Sequence, residues 1–561
     1  MGEDPIIRTC SLGLGLIASL ALGSPALATP LVDNPEEQRE LFVAARTADL
    51  LGDSDAAATL YARLIAAGPV DAQTEARAAS EAIAAGRFDL ALSIAQNSSQ
   101  PDNFNLDLRL LLLADALRER RYRDALAVLS DDEARVQLDF LSPFVRGWIE
   151  AMSYRQGTEP RGPAMVAGMA DQRPLARQKD EQAAFLYLAT GGVDGAVQHI
   201  DAALSRAGPR EARLRLAFAE SLAGLGRPDL AQALLAGEDV ILVEARQRLA
   251  DGKPLGMAVR TPAEGLSELL LAVAIDLAEG RNSALPAGLA QVARFADPSN
   301  EGAAIIAGAM LERDGRDERA LDLYRSVDES SPLALQAEDS IIQHLIEHDR
   351  APDALRLAQA AHDANPSRAG SWARIGDALA AMDRHEAAAD AYAQERARLG
   401  NDDWPLLFLE AVSRHEAGDW AMSERLLNQA LALSPDQAIL LNYLGYSMLE
   451  EGGDVELASA YIRKASRLSP DSAAITDSLG WALYKLGDHA GAVEALARAA
   501  ELAPADPEIH EHYGDALYAA GRRIEARFAW EVARYYAPET AVETRIEDKI
   551  AYGLEPANAA P

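Results

Sequence analysis

The chain has 561 residues, with 53 Lys and Arg against 87 Asp and Glu, a formal net charge of −34 and a single cysteine. A chain this acidic, with only five lysines, is a poor partner for nucleic acid, because phosphate binding needs clustered Lys and Arg. Its length exceeds the roughly 250 to 300 residues at which one globular core stops growing, a limit that a stacked repeat array escapes by burying a continuous core.

Residues 1–28 differ in kind from the rest of the chain. Ser11 to Leu22 is apolar, and Ala26-Leu27-Ala28 forms a small-x-small site before Thr29. The apolar run is shorter than the about 20 residues a membrane span requires. The pattern predicts a secretory signal peptide cleaved after Ala28, and therefore an exported, periplasmic chain without an integral membrane span. Glu3 and Asp4 beside Arg8 depart from the usual basic start. Cys10 precedes the apolar run, where it cannot serve as a lipoprotein acylation site. Cleavage would leave no thiol for a disulfide or a metal.

Residues 29–298 read as degenerate helical repeats. Weak copies are Gly52, Ala57, Tyr61 and Pro69; Gly86 and Ala91; Gly192, Ala196 and Ala203; Gly226 and Ala231. Register is lost from Gln156 to Pro174 and from Asp251 to Pro262, where Gly and Pro cluster as they do in loops.

Residues 299–540 hold a regular array of about seven units. Pro298, Pro332, Pro366, Gly400 and Pro435 mark unit ends at steps of 34, 34, 34 and 35. Leu479-Gly480, Gly487, Ala492, Ala499 and Pro504 recur 34 residues later as Tyr513-Gly514, Gly521, Ala526, Ala533 and Pro538. The copy at Leu444-Gly445, Ala458, Ala465 and Pro470 has one extra residue in its Glu451-Gly452-Gly453-Asp454 turn. Each offset has a mechanical reason. Small residues let helices approach closely, a glycine suits the left-handed residue that ends a helix, and proline stops the second helix. The prediction is an all-α stack of helical hairpins, and 49% hydrophobic content with only 6% aromatic residues agrees with it. Tyr461, Trp530, Tyr535 and Tyr536 fall on second helices and are expected in the core. Residues 541–561 read as a capping helix and tail, since terminal repeats need a polar outer face.

Motifs for chemistry are sparse. His344-Leu345-Ile346-Glu347-His348 matches the H-x-x-E-H string of inverted zinc peptidases. It falls in the first helix of a hairpin, with Leu345 and Ile346 toward packing partners and no peptidase fold around it. His510 and His512 diverge by about 200° on a helix and do not chelate together. With no G-x-S-x-G elbow, P-loop or dinucleotide fingerprint, no catalytic residue, metal, cofactor or small-molecule substrate is expected, and the chain is read as a non-enzyme.

The 34-residue period and its small-residue offsets resemble the tetratricopeptide-repeat family. The resemblance implies a right-handed superhelical solenoid whose first helices line a concave groove. Projected onto that groove are Asn442, Tyr446 and Leu449; Asp477, Trp481, Tyr484 and Lys485; and Glu511, Asp515 and Tyr518. Aromatics there alternate with hydrogen-bonding groups, which suits capture of an extended peptide; the alternative is that Trp481 and Tyr484 pack between hairpins. Leu441-Asn442-Tyr443-Leu444-Gly445-Tyr446, Asp477-Ser478-Leu479-Gly480-Trp481-Ala482-Leu483-Tyr484 and Glu547-Asp548-Lys549-Ile550 further resemble bacterial cell-envelope adaptor lipoproteins that activate carboxyl-terminal processing proteases. That resemblance implies a scaffold holding a protease and its substrates, although this chain lacks their lipobox. Three readings are open. One is a periplasmic adaptor, the second is an assembly or secretion factor for outer-membrane or polysaccharide machinery, and the third is a metalloenzyme built on His344, Glu347 and His348.

Overall fold

In a computed structural model of the protein the described residues are 35–98, 104–130, 138–153, 160–173, 175–237, 240–278, 285–366, 370–400, 403–537 and 541–554. The signal peptide with Cys10, Pro174, Pro538 and the tail from 555 lie outside them. The described residues form helices and turns, with no strand among them. Their contacts divide the chain into two compact units, one up to Asp139 and one from Phe140.

The first unit pairs α1 (Pro35–Leu50) with α2 (Ser54–Ala67), α3 (Ala72–Ala84) with α4 (Phe88–Asn97), and α5 (Leu106–Arg118) with α6 (Tyr122–Val128). The second unit begins with α7 (Ser142–Ser153), α8 (Gly162–Ala167), α9 (Lys179–Ala189), α10 (Val193–Leu204), α11 (Glu211–Gly224), α12 (Pro228–Leu234), α13 (Val240–Ala250), α14 (Pro262–Ala278) and α15 (Leu285–Ala296). Regular hairpins come next: α16 (Glu301–Arg313) with α17 (Asp317–Arg325), α18 (Ala334–Glu347) with α19 (Ala351–Ala364), and α20 (Ser371–Ala380) with α21 (His385–Leu399). They continue as α22 (Trp404–Glu416) with α23 (Trp420–Leu433), α24 (Ala438–Glu450) with α25 (Val455–Leu468), α26 (Ala473–Lys485) with α27 (His489–Leu502), and α28 (Pro507–Ala519) with α29 (Arg523–Tyr536). A last helix, α30 (Ala541–Tyr552), packs on α29.

Glycine sets the distance between the two helices of a hairpin. A Cβ built on Gly376 would lie 2.6 Å from Tyr392 Cε1, and one on Gly445 would lie 2.7 Å from Ile462 Cγ1. Carbon atoms pack at about 3.5–4.0 Å. Gly308, Gly480 and Gly514 are equally close to Tyr324, Leu496 and Trp530. The large side chain of the second helix therefore lies directly on the backbone of the first. Ala492, Ala499, Ala526 and Ala533 complete the seam from the second helix and are fully buried.

The turn inside each hairpin repeats as strictly. A left-handed residue recurs at Gly315, Asp349, Asp383, Gly418, Gly452, Gly487 and Gly521, with φ between +56° and +83°. Two of these are aspartates, which are among the few side chains that tolerate this region. Near residue 190 the left-handed position belongs to Gly191, one before the Gly192 of the sequence register.

Where the repeat pattern fails, buried polar contacts hold the helices instead. Arg210 bridges Glu181 (2.8 Å) on α9 and Glu268 (2.6 Å) on α14, and Arg213 of α11 reaches Glu268 (2.9 Å) and the carbonyl of Met257 (2.6 Å). Asn300, which caps α16, donates to Glu268 at 2.8 Å. Burial opposes ionisation of Glu268, yet Arg213 and Arg210 hold its carboxyl below the ordinary range. The loop at 255–258 is fastened by the buried Glu220, whose carboxylate accepts four consecutive backbone amides at 2.5 to 3.1 Å.

Two further sequence expectations meet the structure here. Trp530 is fully buried and Tyr461 packs against the core, but Tyr535 is 81% exposed and Tyr536 43% exposed. The helix turns these two away from the seam that Trp530 and Ala533 occupy. On α30, Ile546 is fully buried beside Leu517, Trp530 and Ala533.

Gly514→Ala should lower unfolding stability by about 1–3 kcal/mol, because Trp530 cannot withdraw without opening the seam; urea unfolding followed by circular dichroism reads this. Glu268→Ala should cost about 3–5 kcal/mol by leaving Arg210 and Arg213 buried without their shared carboxylate, and an unchanged midpoint would contradict the role given to this cluster.

Candidate functional site

The projected groove residues sit on α24, α26 and α28, the first helices of three successive hairpins. Side-chain caps fix two of these helices: Ser472 Oγ accepts from Ile475 N, and Asp506 Oδ1 accepts from Glu508 N and Ile509 N. The Gly445, Gly480 and Gly514 contacts hold each first helix against its own second helix. Side chains one repeat apart on α24, α26 and α28 are thereby brought into contact.

Trp481 is the centre of the arrangement. Its ring stacks on Tyr484 at 4.9 Å between centroids and on His512 at 4.2 Å, with interplanar angles of 4° and 16°. Its Nε1 donates to Glu450 Oε1 at 2.7 Å. Lys485 Nζ lies 4.7 Å from the ring centroid and 3.8 Å from Glu450. Beneath the stack, the buried Asp477 meets His512 Nδ1 at 3.0 Å. Tyr446 donates its hydroxyl to Glu508 Oε1 at 2.9 Å, joining α24 to α28 across α26. Burial and the neighbouring Glu508 push the Tyr446 phenol well above its ordinary value. Tyr446, Trp481, Tyr484 and Lys485 thus lie at the surface, with Asp477 buried below them. Asn442 lies half-buried on α24, and its side-chain oxygen has no hydrogen-bond partner.

Leu449, projected onto the same face, is instead buried in the core, and Glu511, Asp515 and Tyr518 form a second group that the chain covers itself. Arg545 of α30 pairs with both oxygens of Glu511 at 2.7 and 2.8 Å, while Lys549 bonds Glu511 at 2.6 Å and Asp515 at 2.7 Å. Trp530 Nε1 also donates to Asp515, at 2.9 Å. Glu511 and Asp515 are buried. Burial works against ionisation of Glu511, but Arg545 and Lys549 hold it below the usual carboxylate range. Tyr518 lies beside Trp530 and under Arg523. These three positions belong to the seat of the capping helix rather than to an open groove. The sequence register placed them on the right face but could not show that α30 folds back on it.

Sequence reasoning passed over His512, Glu450 and Glu508. His512 was set aside because it diverges from His510, and His510 does turn outward to the Pro504 carbonyl at 3.0 Å. The informative spacing was the one from Asp477 to His512, one repeat apart, which places an acid and a base on adjacent first helices.

Burial lowers the affinity of His512 for a proton, but the carboxylates of Asp477, Glu508 and Asp515 outweigh it and raise its pKa above the ordinary 6.5. A raised folded-state value means that the charged pair contributes its full stability below about 6.5 and loses it as pH rises through the raised value. The fluorescence of Trp481, in ring contact with His512, should therefore titrate with a midpoint above 6.5, and His512→Gln should abolish that step in the difference between the two proteins.

Residues 309–537 match the tetratricopeptide-repeat family model. No curated protein sequence matches the chain. Among solved structures, the chain is similar to the Cut9–Hcn1 hetero-tetramer of the APC/C, at 15% identity with a TM-score of 0.40 over 93% of this chain and 97% of the other. It is also similar to a thermophilic tetratricopeptide protein of Thermus thermophilus, at 21% identity and a TM-score of 0.29 over 33% of this chain and 99% of the other. A third similar structure is MamA of Desulfovibrio magneticus, at 17% identity and a TM-score of 0.27 over 30% and 94%. The region that matches the tetratricopeptide-repeat model is thus the one whose hairpins share the recurrent glycine seam and left-handed turn.

Proposed function

We propose that the protein is a non-catalytic scaffold of the bacterial cell envelope that captures a protein or peptide partner on the first helices α24, α26 and α28. The observation that carries this reading is the connected surface around Trp481, in which stacked rings, a lysine and carboxylates from three repeats lie side by side. An extended peptide brings unpaired backbone amides and alternating side chains. In this reading the Tyr446, Trp481 and Tyr484 rings receive the partner's side chains, and the exposed Lys485 and Glu450 supply polar contacts. Acidic groups dominate the chain, which favours basic or mixed-charge partners. Nucleic acid and small-molecule substrates remain outside this reading.

Export rests on residues 1–28, whose apolar run and Ala26-Leu27-Ala28 site suit cleavage before Thr29. No helix among the described residues is long and apolar enough to cross a membrane. The resemblance of residues 436–561 to envelope adaptors supports a finer proposal, in which the partner is a carboxyl-terminal processing protease together with its substrates. Tethering the two side by side raises the local substrate concentration without catalysis by the scaffold.

One observation favours the second reading, an assembly or secretion factor. Ile524, Phe528 and Tyr535 form an exposed stripe on α29, a second helix, at 75%, 69% and 81% exposure. A machinery contact there would not involve the first helices.

Affinity capture from envelope extract, using wild type and a Tyr446→Ala, Trp481→Ala, Tyr484→Ala variant of unchanged helicity, tests the two. A processing protease or its substrates should be retained by wild type and lost at least tenfold in the variant. Transport or assembly components retained equally by both would overturn the first-helix site and support the second reading.

A further inference from the structure

The H-x-x-E-H string takes on a different meaning once the helices are placed. Glu347, its acidic member, is exposed and bonded to Gln343 at 2.7 Å. His344 and His348 lie one turn apart near the end of α18, with rings stacked at 4.2 Å. The carboxylates facing them come from the preceding hairpin: Glu312 Oε1 on α16 lies against His344 Nδ1, and Asp317 Oδ2, at the start of α17, lies 3.0 Å from His348 Nε2.

Hydrogen-bond accounting defines the nitrogens. His348 Nδ1 lies 2.8 Å from the carbonyl oxygen of His344, which only accepts, so Nδ1 carries a proton. Nε2 then faces the Asp317 carboxylate, and a lone pair and a carboxylate oxygen at that distance come together only with a proton or a metal ion between them. A histidine that donates its other N–H to a backbone carbonyl is in the usual arrangement of a metal ligand. The Glu312 carboxylate is oriented in the same way, because Tyr324 donates its hydroxyl to Oε2 at 2.9 Å. Donor atoms of Glu312, His344 and His348 lie within 4.8 Å of one another, and His344 is 4% exposed. Ligands around tetrahedral zinc are about 3.3 Å apart, so small side-chain rotations close this set of three, and Asp317, outside the group, reaches it through its contact with His348 Nε2.

We propose that His344, His348, Glu312 and Asp317 form a binding site for a divalent transition metal of the zinc type, with Tyr324 orienting Glu312. Two imidazoles and two carboxylates suit zinc among the common divalent ions, and no thiol is required. Four protein donors fill the coordination sphere, so the ion braces the α16–α17 hairpin against α18 rather than activating water. The site lies outside the Trp481 surface and stands independently of the function proposed for it.

The test uses the untagged full-length chain, stripped with chelator and titrated with zinc or cobalt. The expected result is one zinc per chain by elemental analysis, the visible absorption of four-coordinate cobalt, and a rise in melting temperature on adding zinc. His348→Gln and Asp317→Asn, at half-exposed positions, should fold normally and bind zinc at least tenfold more weakly. Gln343→Ala, on the same helix, should bind as wild type. A wild-type chain that takes up no stoichiometric zinc, or a His348→Gln chain that binds it unchanged, would overturn the proposal and leave a proton between His348 Nε2 and Asp317.

Discussion

The missing side chain at Gly308, Gly376, Gly445, Gly480 and Gly514 is the constraint on which the rest of the regular array depends. At each of these positions a ring or a branched chain from the second helix lies on the bare backbone of the first. A left-handed residue ends the first helix in every one of the regular hairpins from Gly315 to Gly521, including the two in which Ile342 and Ala411 stand at the glycine position. The repeat length follows the packing, and an added residue falls only in connecting segments, one between Asp383 and Gly418 and one in the Glu451–Asp454 turn.

Apolar clusters run from one hairpin to the next, and polar pairs join the hairpins beside them. Asp477 meets His512, Glu511 meets Arg545, Glu450 meets Trp481 and Glu312 meets His344, each pair joining one first helix to the next. A single geometric theme therefore serves three ends. Around Trp481 it presents a mixed aromatic and charged surface. At Glu511 and Asp515 it seats the terminal helix, and at His344 and His348 it gathers four metal-type donors. Carboxylates dominate one side of these pairs, so part of the chain's large negative charge is used in joining repeats and is not merely a solubility device.

The fold was legible because its determinants are local and periodic. Gly480 and Gly514, Ala492 and Ala526, and the turn glycines can be read by offset alone. The units near Asp349 and Asp383 were legible from Pro332, Pro366 and Gly400 although aspartate stands at their turn position. Irregular segments resisted for a different reason: the Arg210, Arg213, Glu181 and Glu268 cluster joins helices distant in sequence, and no offset announces it. The site was legible only in part. Tyr446, Trp481, Tyr484 and Lys485 share a surface as projected, whereas the fate of Glu511 and Asp515 depended on where α30 folds, a tertiary outcome that no repeat register contains. His512 and Glu312 were hidden because each works through a residue one repeat away.

The central claim is that a protein partner lies on the first helices and not on the outer stripe of α29. Site-specific photo-crosslinking tests it most directly, with a photoreactive phenylalanine placed either at Lys485, beside Trp481, or at Ile524, on α29, in cells of the source organism. The account predicts a discrete crosslinked partner from position 485 and none from position 524. A partner captured only from position 524 would contradict it.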